Sequence, residues 1–413
     1  MNGHFHRMLE SFAGLLVLRG AAILLFAIAT FPVMAAQAQT FTVLHSFTGG
    51  GDGGSPSSGL AINAGGTLYG TTIYIVHGYG LVFELKRHGS SWFETPLYSF
   101  TGGNDGSQPY TTPLLAPDGT LYGANYGQFA ECCGSVFHLQ PSPNAPRSVL
   151  TPWDITVLHH FTGGDDGAYP NGDLARDVSG NIYGETQSDG PGGNGIVYEL
   201  TPTGDGWNET ILYAAQGGND GGYPRGNVVL DPAGNVYGVF WQDGPYGYGA
   251  IYEVSPSGSG WIESTVYGFT GGDDGGSPFG GLVRDQAGNI YGTTTIGTNG
   301  GTVFELSPSR SGWVFNVLYS FGSRANVGGS LKLDPSGNLY GANCSGGYLG
   351  QGAVFKLTPQ GHGNWSYTSL HDFTDGDDGA CPQGVVLDSS GNVYGTDVTG
   401  GASGFGVAFE IMP

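Results

Sequence analysis

A Tyr-Gly pair behind an aliphatic residue recurs seven times, at Tyr69, Tyr122, Tyr183, Tyr237, Tyr291, Tyr340 and Tyr394, with spacings of 53, 61, 54, 54, 49 and 54 residues. A fixed period of this length means tandem copies of one supersecondary unit, none of which can bury both of its faces alone. About 15 residues after each pair comes an apolar strand pattern such as Val82-Phe83-Glu84-Leu85 or Thr302-Val303-Phe304-Glu305-Leu306. A Trp follows in six copies, at Trp92, Trp153, Trp207, Trp261, Trp313 and Trp365, and then a stretch ending in an aromatic, such as Val317-Leu318-Tyr319-Ser320-Phe321.

Each copy therefore carries four short strands, a to d in chain order. The a–b link has the form Asp-x-x-Gly-Asn, as in Asp231-Pro232-Ala233-Gly234-Asn235, and the c–d link is a second tight turn, as in Ser255-Pro256-Ser257-Gly258-Ser259-Gly260-Trp261. Pro suits the early turn positions and Gly accepts the positive φ that closes a hairpin. Seven units of four antiparallel strands predict an all-β, seven-bladed β-propeller. The chain after residue 38 opens with a lone d-type strand, 41–47, and finishes with an a–b–c set ending at Ile411. The N-terminal strand 41–47 is thus expected to complete the last blade and close the ring, leaving no long unpaired inner edge.

Composition agrees. Gly is 79 of 413 residues and only 11% are charged, which suits either disorder or a fold with many tight turns. The 45 Tyr and Phe residues decide for the fold, because they supply ample surface to bury. At the N-terminus, Arg7 and Arg19, the apolar run from Ala21 to Met34 and the small-x-small triplet Ala36-Gln37-Ala38 predict a signal peptide over 1–38, followed by one propeller domain over 39–413. The run is short for a bilayer span, so no membrane span is expected in the mature chain. That chain keeps ten Lys and Arg against 33 acids, which disfavours nucleic acid as a partner.

The motif Leu68-Tyr69-Gly70-Thr71-Thr72, a glycine-rich gap and Gly301-Thr302-Val303-Phe304-Glu305-Leu306 resembles the GloVer tandem repeat of "choice-of-anchor" exported bacterial proteins. The resemblance covers nearly all of the mature chain. It implies export to the periplasm, the cell surface or the medium, and carries no reaction with it.

In a propeller the d–a and b–c loops share one face, and here these are the variable loops, where function concentrates. Two features lie there. The d–a loops carry Gly-Gly-x-Asp-Gly-x-x-Pro, with Asp52, Asp105, Asp166, Asp220, Asp274 and Asp378 recurring; blade 6 has none. These carboxylates either ring the channel mouth and attract cations, with Asp375, Asp377 and Asp378 as the calcium candidate, or cap their own loops. The same Asp in nearly every blade favours the cap, and His45, His159 and His371, which share a strand-d column with Tyr98, Tyr213, Tyr267 and Tyr319, read as packing residues. The second feature is aromatic: Tyr74, Tyr79, Tyr126, Phe129, Tyr348 and Phe405 stand in the b–c loops, Tyr110 and Phe279 in the d–a loops. The cluster Phe240, Trp241, Tyr246 and Tyr248, joined by Tyr169 and Tyr223, is the predicted ligand site, since flat rings beside carboxylates and amides suit a sugar. Cys344 and Cys381 fall on one face of adjacent blades and are expected to form a disulfide; Cys132 and Cys133 either bridge as neighbours or stay reduced.

No Gly-x-Ser-x-Gly, His-Glu-x-x-His or P-loop motif occurs. The sequence thus points to a monomeric, exported, noncatalytic binding or scaffold protein that takes a glycan or an extracellular protein on its loop face, with no cofactor unless calcium. A carbohydrate-active enzyme using loop carboxylates and a purely structural envelope protein are the alternatives.

Overall fold

The computed structural model describes residues 39–412 apart from 75–77, 128–131, 144–151, 323–326 and 328. The expected signal peptide and Phe129 lie outside the described residues. Seven antiparallel sheets follow one another around a ring. Blade 5 shows the pattern: strand a is Gly276–Arg284, b is Ile290–Ile296, c is Thr302–Ser309 and d is Gly312–Ser320, hydrogen-bonded in that order. In blade 7 the strands Ala380–Leu387, Val393–Thr399 and Val407–Met412 are completed by the first strand of the chain, Thr40–Ser46, with Thr40 opposite Met412 and Ser46 opposite Val407. The expected closure is therefore what the chain does. Among the described residues no helix is long and apolar enough to cross a membrane.

The repeat signature is explained by its contacts. The turn Asp accepts from the backbone of the Asn four residues on: Asn235 N donates to Asp231 Oδ1 at 2.9 Å, and Asn235 Nδ2 to Oδ2 at 2.9 Å. The Tyr of the Tyr-Gly pair then bridges that Asp to the strand-c Glu, as Tyr394 does to Asp388 at 3.2 Å and to Glu410 at 2.8 Å. Its Gly makes room for the strand-c ring, since a Cβ on Gly292 would stand 2.5 Å from Phe304 Cζ. The column Trp packs edge-on against that Tyr in the preceding blade, with Trp92 at 6.0 Å from Tyr394 and Trp313 at 6.0 Å from Tyr237. Seven apolar clusters result, one at each blade interface. Stability accordingly resides between blades more than within them.

The innermost strands approach so closely that glycine is obligatory there. Gly172 has φ +122°, and a Cβ on it would fall 1.3 Å from the Gly226 carbonyl oxygen of the next blade. Gly172→Ala is expected to cost about 3 kcal/mol or more, through both the backbone conformation and the collision. Thermal unfolding reads this directly; an unchanged melting temperature would mean that the inner ring is looser than the contact implies.

Candidate functional site

The recurring loop Asp is a local cap. Thr270 N donates to Asp274 Oδ2 at 2.8 Å and Tyr267 OH to the same oxygen at 3.1 Å, while Thr270 Oγ1 donates to Oδ1 at 2.5 Å. Asp105 is held the same way by Thr101 and Tyr98. In blades 7 and 6 the strand-d partner is a histidine: His45 Nε2 lies 3.1 Å from Asp52 and His371 Nε2 3.0 Å from Asp378. This accounts for the exchange of His and Tyr in one column, since either ring reaches the same carboxylate. The loop that leads from blade 5 into blade 6 has no such Asp, and there the strand-d residue Tyr319 of blade 5 stacks on Tyr367 of blade 6 at 4.7 Å. The caps bind residues of strand d, the outermost strand, so they stand away from the axis and do not ring the channel mouth. Asp378 is engaged by Thr374 and His371, and among the described residues no group of three or more His, Cys, Asp or Glu is arranged to hold a metal.

What faces the axis is set two steps further along each d–a loop. The residue before the loop Pro adopts positive φ in six blades: Ser55, Gln108, Tyr169, Tyr223, Ser277 and Cys381, at 49° to 61°. Each donates its backbone N–H to the carbonyl just before a strand c, as Tyr169 does to Cys133 at 2.8 Å and Tyr223 to Asn194 at 2.8 Å. Six non-glycine residues thus hold a sparsely populated conformation, whose cost the surrounding loop contacts must offset. Past the Pro, the next side chains line a cavity on the axis of ≈ 110 Å³: Ser57, Tyr110, Asn171, Arg225, Phe279 and Gln383. Deeper in the same wall stand Asp173 and Lys332.

Arg225 is the centre of this mouth. Its guanidinium lies 4.0 Å from the Phe279 ring centroid and 5.2 Å from that of Trp241. Tyr110 and Tyr126 are close enough to act on it electrostatically. The aromatic rim continues away from it: Tyr110 to Tyr126 is 5.5 Å and Tyr126 to Tyr169 is 5.0 Å between centroids. Gln187 Oε1 accepts from Asn171 Nδ2 at 3.3 Å and from Tyr126 OH at 3.4 Å, which fixes the edge between blades 2 and 3. Burial pulls the Arg225 pKa down, opposed by the two tyrosines. Burial pushes the Asp173 carboxyl up, opposed by Lys332 and by the Thr112 amide that donates to it at 2.7 Å.

The predicted ligand residues separate. Trp241 and Tyr169 belong to this mouth. Phe240 does not: strand b turns it inward, it is fully buried, and its ring packs on Tyr252 at 4.6 Å. Tyr246 and Tyr248 are 63% and 43% exposed on the outer rim, and Tyr248 lies over Gly271 as Tyr79 lies over Gly102 and Phe405 over Gly49. Tyr248 is thus one of a column that covers the d–a loop glycine. Tyr223 is half-buried in the rim, and among the described residues no ring packs against it. Arg225, Phe279, Tyr110 and Tyr126 complete the mouth, and for the first three the signal was present: the position after each loop Pro reads Ser, Tyr, Asn, Arg, Phe and Gln while its flanks repeat. The Cys344 and Cys381 sulfurs lie in disulfide range at 1.94 Å, and Cys132 and Cys133 also pair.

The fold and this mouth define a seven-bladed propeller whose variable residues converge on a small cavity around the axis. The chain belongs to the Gloeobacter/Verrucomicrobia repeat family, whose model matches residues 29–229 and 147–332. No curated protein matches the sequence. Among solved structures, the chain is similar to the extracellular domain of a protein described as a one-component system of B. thetaiotaomicron, at 12% identity and TM-score 0.54, covering 90% of this chain and 41% of that one. It also resembles a gluconolactonase from Xanthomonas campestris (13%, TM-score 0.44, 72% and 84% covered). A protein of unknown function from Dyadobacter fermentans matches at 12%, TM-score 0.44, with 91% and 99% covered. At 12% identity the first of these likenesses speaks for the fold alone.

Proposed function

We propose that this chain is an exported, noncatalytic carbohydrate-binding propeller whose ligand lies across the channel mouth. The observation that carries this reading is the convergence of Trp241, Phe279, Tyr110 and Tyr126 on Arg225, with Tyr169 continuing the rim beside Tyr126. Flat rings take the C–H faces of a sugar, and Gln187, Asn171 and Gln383 offer amides to its hydroxyls. One carboxylate, Asp173, stands among the described residues of the cavity wall, whereas hydrolysis of a glycoside ordinarily takes two across the bond. Two cysteine pairs in disulfide range and membership in the repeat family support export.

A second reading rests on Glu209. Burial, with the Asp166 charge, lifts its pKa to about 7, and His159 Nε2 stands 3.8 Å from it and 3.5 Å from Asp166. A carboxyl of that pKa suits a general acid. It sits on strand d, so an enzyme would work at the outer rim and not at the mouth.

A broad glycan and polysaccharide array with the purified mature chain, in calcium and in EDTA, tests the proposal. Trp241→Ala and Phe279→Ala are each expected to weaken binding by about tenfold or more, as anchor residues do, while Tyr246→Ala leaves it unchanged. Loss through Tyr246 with Trp241 silent would move the site to the outer rim, and sugar released by wild type but not by Glu209→Gln would establish the enzyme instead.

A further inference from the structure

We infer that the ligand is a saccharide bearing a carboxylate, and that Arg225 holds that group at the mouth of the channel. The inference rests on the carbohydrate reading above and specifies its charge. The chain after residue 38 carries 33 acids and ten bases, yet two of those bases, Arg225 and Lys332, face this cavity. A strongly acidic protein repels anions on average, so basic side chains gathered at the mouth of a cavity need a reason.

The state of Arg225 supplies it. Its Nε is buried without a hydrogen-bond partner, and no carboxylate of the described residues pairs with its guanidinium. The one acid in the cavity wall, Asp173, is taken by the Thr112 amide at 2.7 Å and faces Lys332 electrostatically. A buried donor left unmade is expensive, and a guanidinium presents a fork that matches a carboxylate with two parallel bonds. Phe279 and Trp241 at 4.0 and 5.2 Å fix the plane of that fork. The cavity itself, at ≈ 110 Å³, is smaller than the roughly 300–1,000 Å³ of a whole-ligand pocket. It admits a charged substituent while the sugar ring lies outside on Tyr110, Tyr126 and Tyr169. Lys332, deeper on the axis, adds attraction without contact and makes the binding fall with salt.

Oligogalacturonate, oligoalginate and oligoglucuronate, each beside its fully methyl-esterified form, separate charge from sugar shape in one calorimetric titration series. Dextran sulfate serves as the anion control. At least one uronate is expected to bind about tenfold or more tighter than its ester. Arg225→Gln should bring the acid down to the ester's affinity, Arg225→Lys should keep part of the difference, and Trp241→Ala should weaken acid and ester alike. Equal binding of acid and ester, or Arg225→Gln without effect in a variant of unchanged melting temperature, overturns the anion inference and leaves the carbohydrate reading standing. Dextran sulfate bound as tightly as any uronate overturns the assignment to a carboxylate. Binding of neither acid nor ester across the series sinks both readings.

Discussion

Asp397→Asn is expected to raise the melting temperature by about 5 °C at pH 7 and to change it by less than about 1 °C at pH 4. Asp397 lies on strand b of blade 7, fully buried, with both carboxyl oxygens unpartnered. Burial, with the Asp378 charge nearby, pushes its pKa well above the usual range. The same column holds Asn125 in blade 2, whose Nδ2 donates to the Asp105 carbonyl at 3.0 Å and to Ser135 Oγ at 3.2 Å. The column wants a donor, and an aspartate supplies one only when protonated. A carboxyl whose folded pKa is raised lends its full stability below the unfolded value of about 3.9 and loses it as pH rises toward the folded value. At pH 7 the obligatory proton uptake on folding costs stability, and Asn removes that cost. Glu94 and Glu185, lifted to about 8, and Glu209 and Glu263, lifted to about 7, act with the same sign, each chiefly through burial. The wild-type melting temperature should therefore fall between about pH 5 and pH 8. Melting curves across that range check both statements. A lower melting temperature for the Asn variant at pH 7, with wild type stabilised by added calcium, would mean that Asp397 is ionised and held by a cation.

The blades were legible because their determinants are local and repeated: the turn Asp, the Tyr-Gly pair and the Val-Phe-Glu-Leu strand contact one another within a few tens of residues. The same contacts explain why the loop Asp was readable as a cap, since its partners Thr270 and Tyr267 are four and seven residues away. The ligand site was harder. Trp241 and Phe240 are sequence neighbours, but alternation along strand b sends one to the channel mouth and the other into the core. Proximity in sequence was the wrong criterion there. Arg225 and Tyr126 come from different blades, 99 positions apart, and only the curved stacking of blades 2 to 4 brings them together. The positive φ at Tyr169 and Tyr223 was equally hidden, because neither residue type advertises it and a following Pro ordinarily favours an extended backbone of negative φ.

Removing residues 39–47 is expected to abolish the native fold, whereas a circular permutant that keeps the same strand pairing should melt within about 3 °C of wild type. The first strand contributes Phe47, fully buried and 5.2 Å from Phe83 of blade 1, and Leu44, 9% exposed. On the side of blade 6, Phe41 stacks on His371 at 3.8 Å, with Phe373 at 5.8 Å and Phe409 of blade 7 at 5.6 Å. With Val43 these four side chains account for on the order of 8 kcal/mol of burial, comparable to the whole stability of a typical domain. The loss would also expose the edge of Val407–Met412 and both neighbouring interfaces, so the ring opens where each blade depends on the next. The permutant isolates pairing from connectivity. Met412 and Thr40 stand opposite each other, so a short turn like Ser257-Gly258-Ser259-Gly260 joins them as an ordinary c–d link, and new ends placed in the turn after Ser309 cut no strand. Circular dichroism and dye binding to exposed apolar surface distinguish the cases. A truncated chain that still melts cooperatively near the wild-type temperature would show that the ring closes without this strand. A permutant as damaged as the truncation would show that the covalent order of the blades matters, and not their pairing.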